Sequence, residues 1–439
     1  MRSFAKHNLL LLLLSTLLSS YSSGQPGSRT NNLPETPVAV ALPSIEAMTG
    51  SGPVYDSSPS LWPGHDIAAY NYEVNEYLIS GTAAGKPYKT RMVIRKPADN
   101  SLFSGIAIAE AMHPAGFAHA FELNSVYVMD EGHITVEIVT SGFEQIRDLN
   151  AERYGMLDLS VNQTNEILAQ AGALIKSANS PLAGMGLRKM VLWGSSASSR
   201  ILTDYLPAHK VYKLADMSNI YDGFMPTSNG TNIQAVDVPM IQMPTQHEFQ
   251  NVATAHQDSD EPGSQYRSYE FAALGHLAAR HNVRLDNNQC EQPISNLTLE
   301  PFFSVGLHYL LQWVDTGKVP PRAERVLLDR NVDNDGSLMV LDEYGNPVGG
   351  IRNPYVDVPV ATYHAGNVPS PAGNPAYAVL CRLSMWDENF SPAQLRAMYG
   401  NRDNYLRQFE ASLDDAEARG WSLPVYHELI MEDARAVQF

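Results

Sequence analysis

Cysteine, positive charge and long apolar runs are all scarce in this 439-residue sequence. Only Cys290 and Cys381 are present, so the chain can form at most one disulfide within itself, and the sequence leaves open whether it does. Lysine and arginine total 30 against 47 aspartates and glutamates, and the resulting net charge of −17 argues against a nucleic-acid partner because an acidic surface repels phosphate. No segment beyond the N-terminal run is apolar enough to span a membrane.

The sequence also lacks the common cofactor-binding motifs. It contains no Walker loop, no glycine-rich dinucleotide fingerprint and no H-E-x-x-H zinc motif. Residues 331–342 resemble a calcium-binding loop, but this loop begins with Asn331, ends with Asp342 and is flanked by strand-like sequence, which favours a solvated hairpin turn. We therefore predict that the protein uses neither a metal ion nor an organic cofactor.

The first 24 residues have the pattern of a signal peptide. Arg2 and Lys6 precede an apolar run from Leu9 to Leu18, and small residues follow it, as a cleavage site requires. The run is about ten residues long, which is too short to span a bilayer. We predict that residues 1–24 are removed and that the mature protein is secreted or periplasmic, without stable membrane insertion.

Three stretches follow the signal peptide. Residues 25–71 begin rich in Pro, Ser, Gly and Asn and are predicted to be a flexible mature N-terminus. Residues 72–321 alternate apolar strands with helical segments, which predicts an α/β fold with a mostly parallel central sheet flanked by helices. This region begins with a predicted N-terminal β-hairpin. Residues 322–439 have a looser pattern and are predicted to be a C-terminal extension packed on that core. The predicted hairpin strands are Tyr72–Ser80 and Tyr88–Arg95, the later strands are Gly105–Ala109, Ile134–Val139, Met190–Trp193 and Pro239–Met243, and the helices include Ala118–Met129 and Asn162–Ser177.

A serine-rich turn lies between a predicted strand and a predicted helix. The segment Gly194-Ser-Ser-Ala-Ser198 follows the apolar strand Met190–Trp193 and precedes a helix predicted over residues 197–206. This strand–turn–helix context is typical of a nucleophile elbow, although serines also cap helices. The middle residue, Ser196, is therefore the candidate nucleophile of a serine hydrolase.

The neighbours of the turn favour Ser196 over the adjacent serines. An elbow needs small residues two positions before and two positions after the nucleophile, because strand and helix approach closely there. Ser196 has a glycine and a serine at those positions. A nucleophile at Ser198 would place Arg200 in the tight position, and one at Ser195 would place Trp193 there.

A serine hydroxyl needs a base to take its proton, and the base needs an acid to orient it. In α/β-hydrolases the chain order is serine, acid, histidine. Glu248 follows the apolar strand Pro239–Met243 at the point where an acid loop would begin, and His276 follows a strand-like run, Tyr269–Gly275. We predict that Glu248 and His276 complete a triad with Ser196.

Other acids and histidines fit this order less well. Asp258 and Asp260 lie farther into a polar loop and remain rival acids. His256 is too close to the acid for a separate strand, and His281 would point elsewhere on a helix. His308 lies inside an amphipathic helix, where a packed or exposed imidazole is the ordinary state.

The oxyanion of an acyl-transfer intermediate is held by two backbone N–H groups. We predict that one belongs to Ala197 and the other to the loop after the strand Gly105–Ala109. The proline of that loop has no N–H, which leaves His113, Ala115 or Gly116, and His113 is the candidate we take forward.

Several segments also match a known family. The matching segments are Tyr88–Arg91, Arg153–Tyr154, Gly194–Arg200, Tyr269–His276, Trp313–Pro321, Gly345–Asn346, Gly349–Pro354 and Pro359–Tyr363. From about Tyr72 to its C-terminus the chain resembles the secreted, esterase-like alpha/beta hydrolase domain-containing proteins. Members usually have glycine where this chain has Ser198, which puts helix–strand packing at the elbow in question.

The resemblance implies an α/β-hydrolase fold and a Ser–acid–His triad, which falls on Ser196, Glu248 and His276. It further implies hydrolysis of a small-molecule carboxylic ester through an acyl-enzyme intermediate. An amide or lactone hydrolase using the same triad, and a catalytically inactive hydrolase-like binding protein, are the alternatives left open.

Overall fold

The computed structural model describes residues 33–230, 233, 235–249, 257–280, 282, 285–329 and 338–439. The predicted signal peptide, His256, His281 and the greater part of the candidate calcium loop lie outside these ranges. Within them, no helix combines the length and the hydropathy needed to cross a bilayer.

A nine-stranded sheet forms the centre of the described fold, in the order β11-β10-β9-β7-β5-β6-β4-β3-β2. Strands β6, β5, β7, β9, β10 and β11 pair in parallel, whereas β2, β3 and β4 continue the sheet in antiparallel fashion. The strands of this sheet are β2 Ser44–Ala47, β3 Tyr72–Ala83, β4 Lys86–Pro97, β5 Ile106–Ala111, β6 Ile134–Ile138, β7 Lys189–Ser195, β9 Gly223–Thr227, β10 Met240–Gln242 and β11 Tyr266–Ser268. Two further pairs join β1 Val38–Ala39 to β8 Tyr212–Lys213, and β12 Ala361–His364 to β13 Trp386–Asn389.

The predicted N-terminal hairpin is present as β3 and β4, which pair over 12 residues each. Its turn uses Ala84 and Gly85 at positive φ, 49° and 72°. The central strands β5 and β6 are buried at every position, as strands between two helical layers should be, and Glu110 and Glu137 are buried with their apolar neighbours. The predicted α/β architecture with a mostly parallel sheet is thus confirmed.

Successive residues of the central strands face two separate hydrophobic clusters. Ile108 and Val191 pack on one face with the long helix Glu300–Thr316, while Ala107 and Met190 pack on the other. Period-two alternation therefore gives each helical layer its own apolar contact surface. The helices are α1 His119–Glu122, α2 Ser125–Asp130, α3 Phe143–Leu149, α4 Ala151–Tyr154, α5 Thr164–Ile175, α6 Ala197–Val211, α7 Glu300–Thr316, α8 Pro354–Asp357, α9 Ala378–Leu383, α10 Pro392–Tyr399, α11 Arg402–Ala418 and α12 His427–Ala436.

Residues 33–71, which fall in the stretch predicted to be flexible, are packed onto the core instead. Strand β2 extends the sheet beyond β3, and Trp62 is buried with 6% of its surface exposed. The Ser57 hydroxyl donates to the buried carboxylate of Glu137 at 2.6 Å. Composition misled the prediction because a few large or hydrogen-bonded side chains anchor a segment that is otherwise rich in Pro, Ser and Gly.

Two other elements differ from prediction. The run Tyr269–Gly275 is not a strand; strand β11 ends at Ser268, and the following residues form turns with Ala273 at a φ of 64°. Helix α6 does not stop before Pro207 but continues to Val211. Leu206 and His209 on either side of the proline are buried, and that packing compensates for the lost N–H.

The C-terminal residues share the core of the sheet. Tyr405, Leu413 and Ile430 belong to the same buried cluster as Val191 and helix α7. Cys290 and Cys381 are joined by a disulfide, which the sequence alone left open.

Candidate active site

The turn between β7 and α6 holds Ser196 in a strained conformation. Its φ of 54° and ψ of −121° lie outside the regions that L-residues ordinarily adopt. At Gly194 a Cβ atom would lie 2.6 Å from the carbonyl oxygen of Ser198, so only glycine fits between strand and helix. The turn therefore presents the serine at the N-terminus of a 15-residue helix, where the helix dipole favours negative charge.

Ser198 closes this turn. Its hydroxyl accepts from the N–H of Ser195 at 2.9 Å and donates to the carbonyl of the same residue at 2.8 Å. The side chain is 1% exposed. Ser198 is thus accommodated at the elbow by hydrogen bonds, and its hydroxyl is occupied within the turn.

The structure brings the three predicted triad residues together. The Nε2 atom of His276 lies 3.0 Å from the Oγ atom of Ser196, and the Nδ1 atom of His276 lies 2.9 Å from the Oε1 atom of Glu248. The side chain of His276 is 3% exposed and that of Glu248 is 13% exposed. A hydroxyl, an imidazole and a carboxylate therefore form one continuous chain of hydrogen bonds that is largely shielded from water.

Glu248 is held by Thr245, a residue that the sequence pattern did not single out. Its second oxygen, Oε2, accepts from the backbone N–H of Thr245 at 2.8 Å and from the hydroxyl of Thr245 at 2.5 Å. Burial raises the pKa of Glu248, but the proximity of His276 and the hydrogen bonds from His276 and Thr245 outweigh burial, so the pKa lies below its usual value. The pattern Thr-x-x-Glu, which resembles a capping box, is the sequence signal that could have identified Thr245.

Comparison with known proteins agrees with this architecture. The sequence profile of the family described as "Alpha/beta hydrolase domain" matches residues 35–432. The chain belongs to this alpha/beta hydrolase family. None of the curated proteins matches the chain.

Solved structures similar to this hydrolase include two esterases. One is a cold-adapted esterase from an Arctic intertidal metagenomic library, with 13% identity over 45% of this chain and 85% of the esterase, and a TM-score of 0.26. Another comes from a study of two fungal esterases from Rhizomucor miehei, with 11% identity over 46% of this chain and 77% of the esterase, and a TM-score of 0.29.

The rival acids of the hydrolase are engaged elsewhere. Asp258 pairs with Arg325 at 2.8 Å and accepts from the N–H of Ser268. Asp260 forms ion pairs with Arg267 and Arg322, the latter at 2.9 Å. Both carboxylates therefore fasten the loop before β11, and neither is bonded to the histidine.

The rival histidine is also accounted for. His308 lies within helix α7, where its ring contacts the hydroxyl of Tyr127 at 3.1 Å and the side chain of Gln312 at 2.8 Å. Its hydrogen-bond partners thus belong to the helical layer and not to the triad.

The loop after β5 corrects the oxyanion prediction. The N–H of His113 donates to the carbonyl of Phe117 at 2.9 Å, across an antiparallel bridge, so His113 is not a free donor. The other two candidates are also engaged, Ala115 to the Nδ1 atom of His113 at 3.1 Å and Gly116 to the carbonyl of His113 at 2.7 Å. The loop folds back on itself and satisfies its own donors.

Ala197 meets the oxyanion prediction better. It is the first residue of helix α6, so its N–H has no partner within the helix. It also adjoins Ser196 in sequence, where a tetrahedral intermediate on the serine would carry its negative oxygen. Backbone donors at a helix start and the helix dipole act in the same direction there.

One group in the described part of the chain has the side-chain spacing of a metal site. It consists of Asp414, Glu417 and His427 on the C-terminal helices, with the first of these exposed to solvent. None of the three is hydrogen-bonded to a triad residue in the described structure.

Proposed function

We propose that this hydrolase is an exported serine esterase that cleaves a small-molecule carboxylic ester through an acyl-enzyme intermediate. The observation that carries the proposal is the continuous chain of hydrogen bonds from Ser196 through His276 to Glu248. The resemblance to esterase-like hydrolases favours an ester as the substrate.

In the first half of the reaction the Oγ atom of Ser196 attacks the carbonyl carbon, and its proton passes to the Nε2 atom of His276. The tetrahedral intermediate carries its negative charge on the former carbonyl oxygen, beside the N–H of Ala197. When the carbon–oxygen bond to the alcohol breaks, His276 gives the proton to the departing oxygen. The acyl group is then bound to Ser196 as an ester.

In the second half, water takes the place of the alcohol. His276 accepts a proton from the water as it attacks the acyl carbon, and returns that proton to the Oγ atom of Ser196 as the acid departs. Throughout, the Glu248 carboxylate keeps the Nδ1 proton in place and stabilises the imidazolium form of His276. The lowered pKa of Glu248 supports this role, because the group must remain ionised.

The disulfide supports the proposed export. Cys290 and Cys381 are bonded, with exposures of 6% and 0%. Structural disulfides form and persist in secreted and periplasmic proteins and are rare in the reducing cytosol.

Hydrolysis of p-nitrophenyl esters of increasing acyl length tests the proposal. We expect the purified mature protein to release p-nitrophenol, and Ser196→Ala to lower kcat by about five to six orders of magnitude, as removal of a triad nucleophile does. The melting temperature should not change, which separates lost chemistry from lost folding. Hydrolysis of the matching p-nitroanilides with no ester cleavage would contradict the ester assignment.

A further inference from the structure

One short C-terminal segment contacts the loop that follows the triad histidine. This segment, residues 378–385, contains helix α9 and the residues after it. The N–H of Leu277 donates to the carbonyl of Leu383 at 3.0 Å, and the N–H of Met385 donates to the carbonyl of Leu277 at 2.9 Å. At Gly275 an added Cβ would overlap the side chain of Met385, so the histidine loop lies directly against the segment.

The same segment contacts the acid loop through His247. The Nε2 atom of His247 lies 2.7 Å from the carbonyl oxygen of Arg382. A carbonyl can only accept, so the imidazole donates through Nε2. A Cβ atom on Gly366 would lie 2.9 Å from that oxygen and 3.4 Å from the Nε2 atom, which shows how closely the three groups approach.

His247 also adjoins the reacting histidine. The two rings meet edge to face, with 6.1 Å between their centroids. Burial, followed by the proximity of His276, lowers the pKa of His247, so its ring stays neutral at ordinary pH. A neutral ring at this position does not oppose the imidazolium that His276 becomes during catalysis.

The contacted segment is itself anchored. Cys381 is bonded to Cys290, and its carbonyl accepts from the N–H of Asn367 at 3.1 Å. Arg382, whose carbonyl receives His247, is the next residue in the chain. The hydrogen bond of His247 therefore links the residue before the acid to a point fixed by a covalent cross-link.

We propose that His247 is a positioning residue that holds the Glu248 loop against the disulfide-anchored segment 378–385, and so sets the distance between Glu248 and His276. The proposal rests on the proposed triad function. It assigns to the C-terminal extension a part in catalysis, through two loops of the same site. A displacement of the acid by about 1 Å can cost on the order of a hundredfold in rate, so a contact that fixes the acid loop has a measurable effect on kcat.

The test compares His247→Leu with His247→Gln in the full mature protein with its disulfide intact. Leucine removes the donor, whereas the amide nitrogen of glutamine can still donate to the Arg382 carbonyl. We expect His247→Leu to lower kcat for a p-nitrophenyl ester by about tenfold or more with KM within about twofold, and to slow labelling by a fluorophosphonate by the same factor. His247→Gln should stay within about threefold of wild type on both measures.

A half-buried histidine elsewhere provides the control. The Nδ1 atom of His65 lies 2.9 Å from the hydroxyl of Tyr70, and His65→Leu should leave kcat unchanged even if the melting temperature falls. If His247→Leu fails to fold, Gly366→Ala, whose methyl group would press on the Arg382 carbonyl, replaces it and should lower kcat in the same way.

The disulfide forms a second arm of the test. We expect the Cys290→Ala, Cys381→Ala double variant to lower kcat with KM retained, because the anchor of the segment is gone.

Three results would overturn the proposal. The first is a folded His247→Leu variant with wild-type kcat and labelling rate, and the second is an equal loss in the leucine and glutamine variants. In both cases an active wild type leaves the triad function standing. The third is a wild-type protein that neither hydrolyses esters nor reacts with the phosphonate, which would remove the proposed function and this inference together.

Discussion

The nucleophile turn and the loops around it are built in different ways. The turn is closed by residues next to it in sequence, since Ser198 bonds to Ser195 and only Gly194 fits beneath the helix. The loop after β5 bonds its own N–H groups but is held by a distant segment as well. Tyr55 donates to the carbonyl of Gly116 from 61 residues away, at 3.2 Å.

The difference shows which parts of such a site a local pattern can reveal. A turn stabilised by its own neighbours leaves a readable signature of small residues between a strand and a helix. A loop stabilised by distant segments leaves none, because its partners are adjacent only after folding. Substitutions of Glu248, Thr245 and Tyr55 probe this contrast, with expected effects that decrease in that order.

The acid loop provides the largest effect. Glu248→Gln should lower kcat by roughly a hundredfold or more, because an amide can stabilise the wrong tautomer of the histidine. Asp258→Asn is the matched control and should stay within about tenfold, because Asp258 is paired with Arg325 and not with the triad. Measurement of kcat on one activated ester compares them. A severe loss in Asp258→Asn with a mild one in Glu248→Gln would move the acid to the later loop.

The pattern of strands and small residues predicted most of the sheet and the three residues of the proposed triad. Period-two and continuous apolar runs identify β5, β6 and β7 because each strand buries its own side chains. The same criterion wrongly predicted a strand at Tyr269–Gly275, because apolar residues in turns are buried as completely as those in strands. An apolar run alone does not reveal which backbone groups pair.

The free donors of the oxyanion loop could not be read from sequence either. The sequence leaves His113, Ala115 and Gly116 as candidate donors, but the loop closes on itself and the N–H of His113 donates to the carbonyl of Phe117. The prediction of a flexible N-terminus missed the packing of residues 33–71 for a related reason. Tyr55 and Ser57 bond to partners that composition does not show, the carbonyl of Gly116 and the carboxylate of Glu137.

The hydroxyl of Thr245 should have a smaller, pH-dependent effect. Because the pKa of Glu248 is lowered in the fold, the ionised carboxylate stabilises the folded site at higher pH. This stabilisation is lost as the pH falls through the lowered pKa. Thr245→Val removes one of the bonds that lower the pKa, so the Glu248 carboxylate should take up a proton at a higher pH than in the wild type, with kcat near neutrality reduced by about tenfold or less. A pH–rate profile checks this.

Thr203→Val is the matched control for that change. The Thr203 hydroxyl bonds to the carbonyl of Arg200 on the exposed part of helix α6, at 2.9 Å. Its pH–rate profile should coincide with that of the wild type. A shift equal to that of Thr245→Val would mean that the effect is not specific to the acid.

The hydroxyl of Tyr55 should have the smallest effect. Tyr55→Phe removes the bond to the Gly116 carbonyl and should lower kcat by about threefold, through a loosened loop at the end of β5, the strand that pairs with β7. Tyr88→Phe removes a buried hydroxyl bond to Gln170 at 2.9 Å and should change the melting temperature but not kcat. Unchanged kcat in Tyr55→Phe would show that the distant segment only stabilises the fold.

The most direct test of the proposed triad is the site of covalent labelling. The mature protein is treated with a fluorophosphonate and digested, and its peptides are fragmented by tandem mass spectrometry, because one tryptic peptide, residues 190–200, contains Ser195, Ser196 and Ser198. We expect one adduct, on Ser196 itself, and its loss in the Ser196→Ala variant. An adduct on Ser195 or Ser198, or no adduct on a folded protein that still hydrolyses esters, would contradict it.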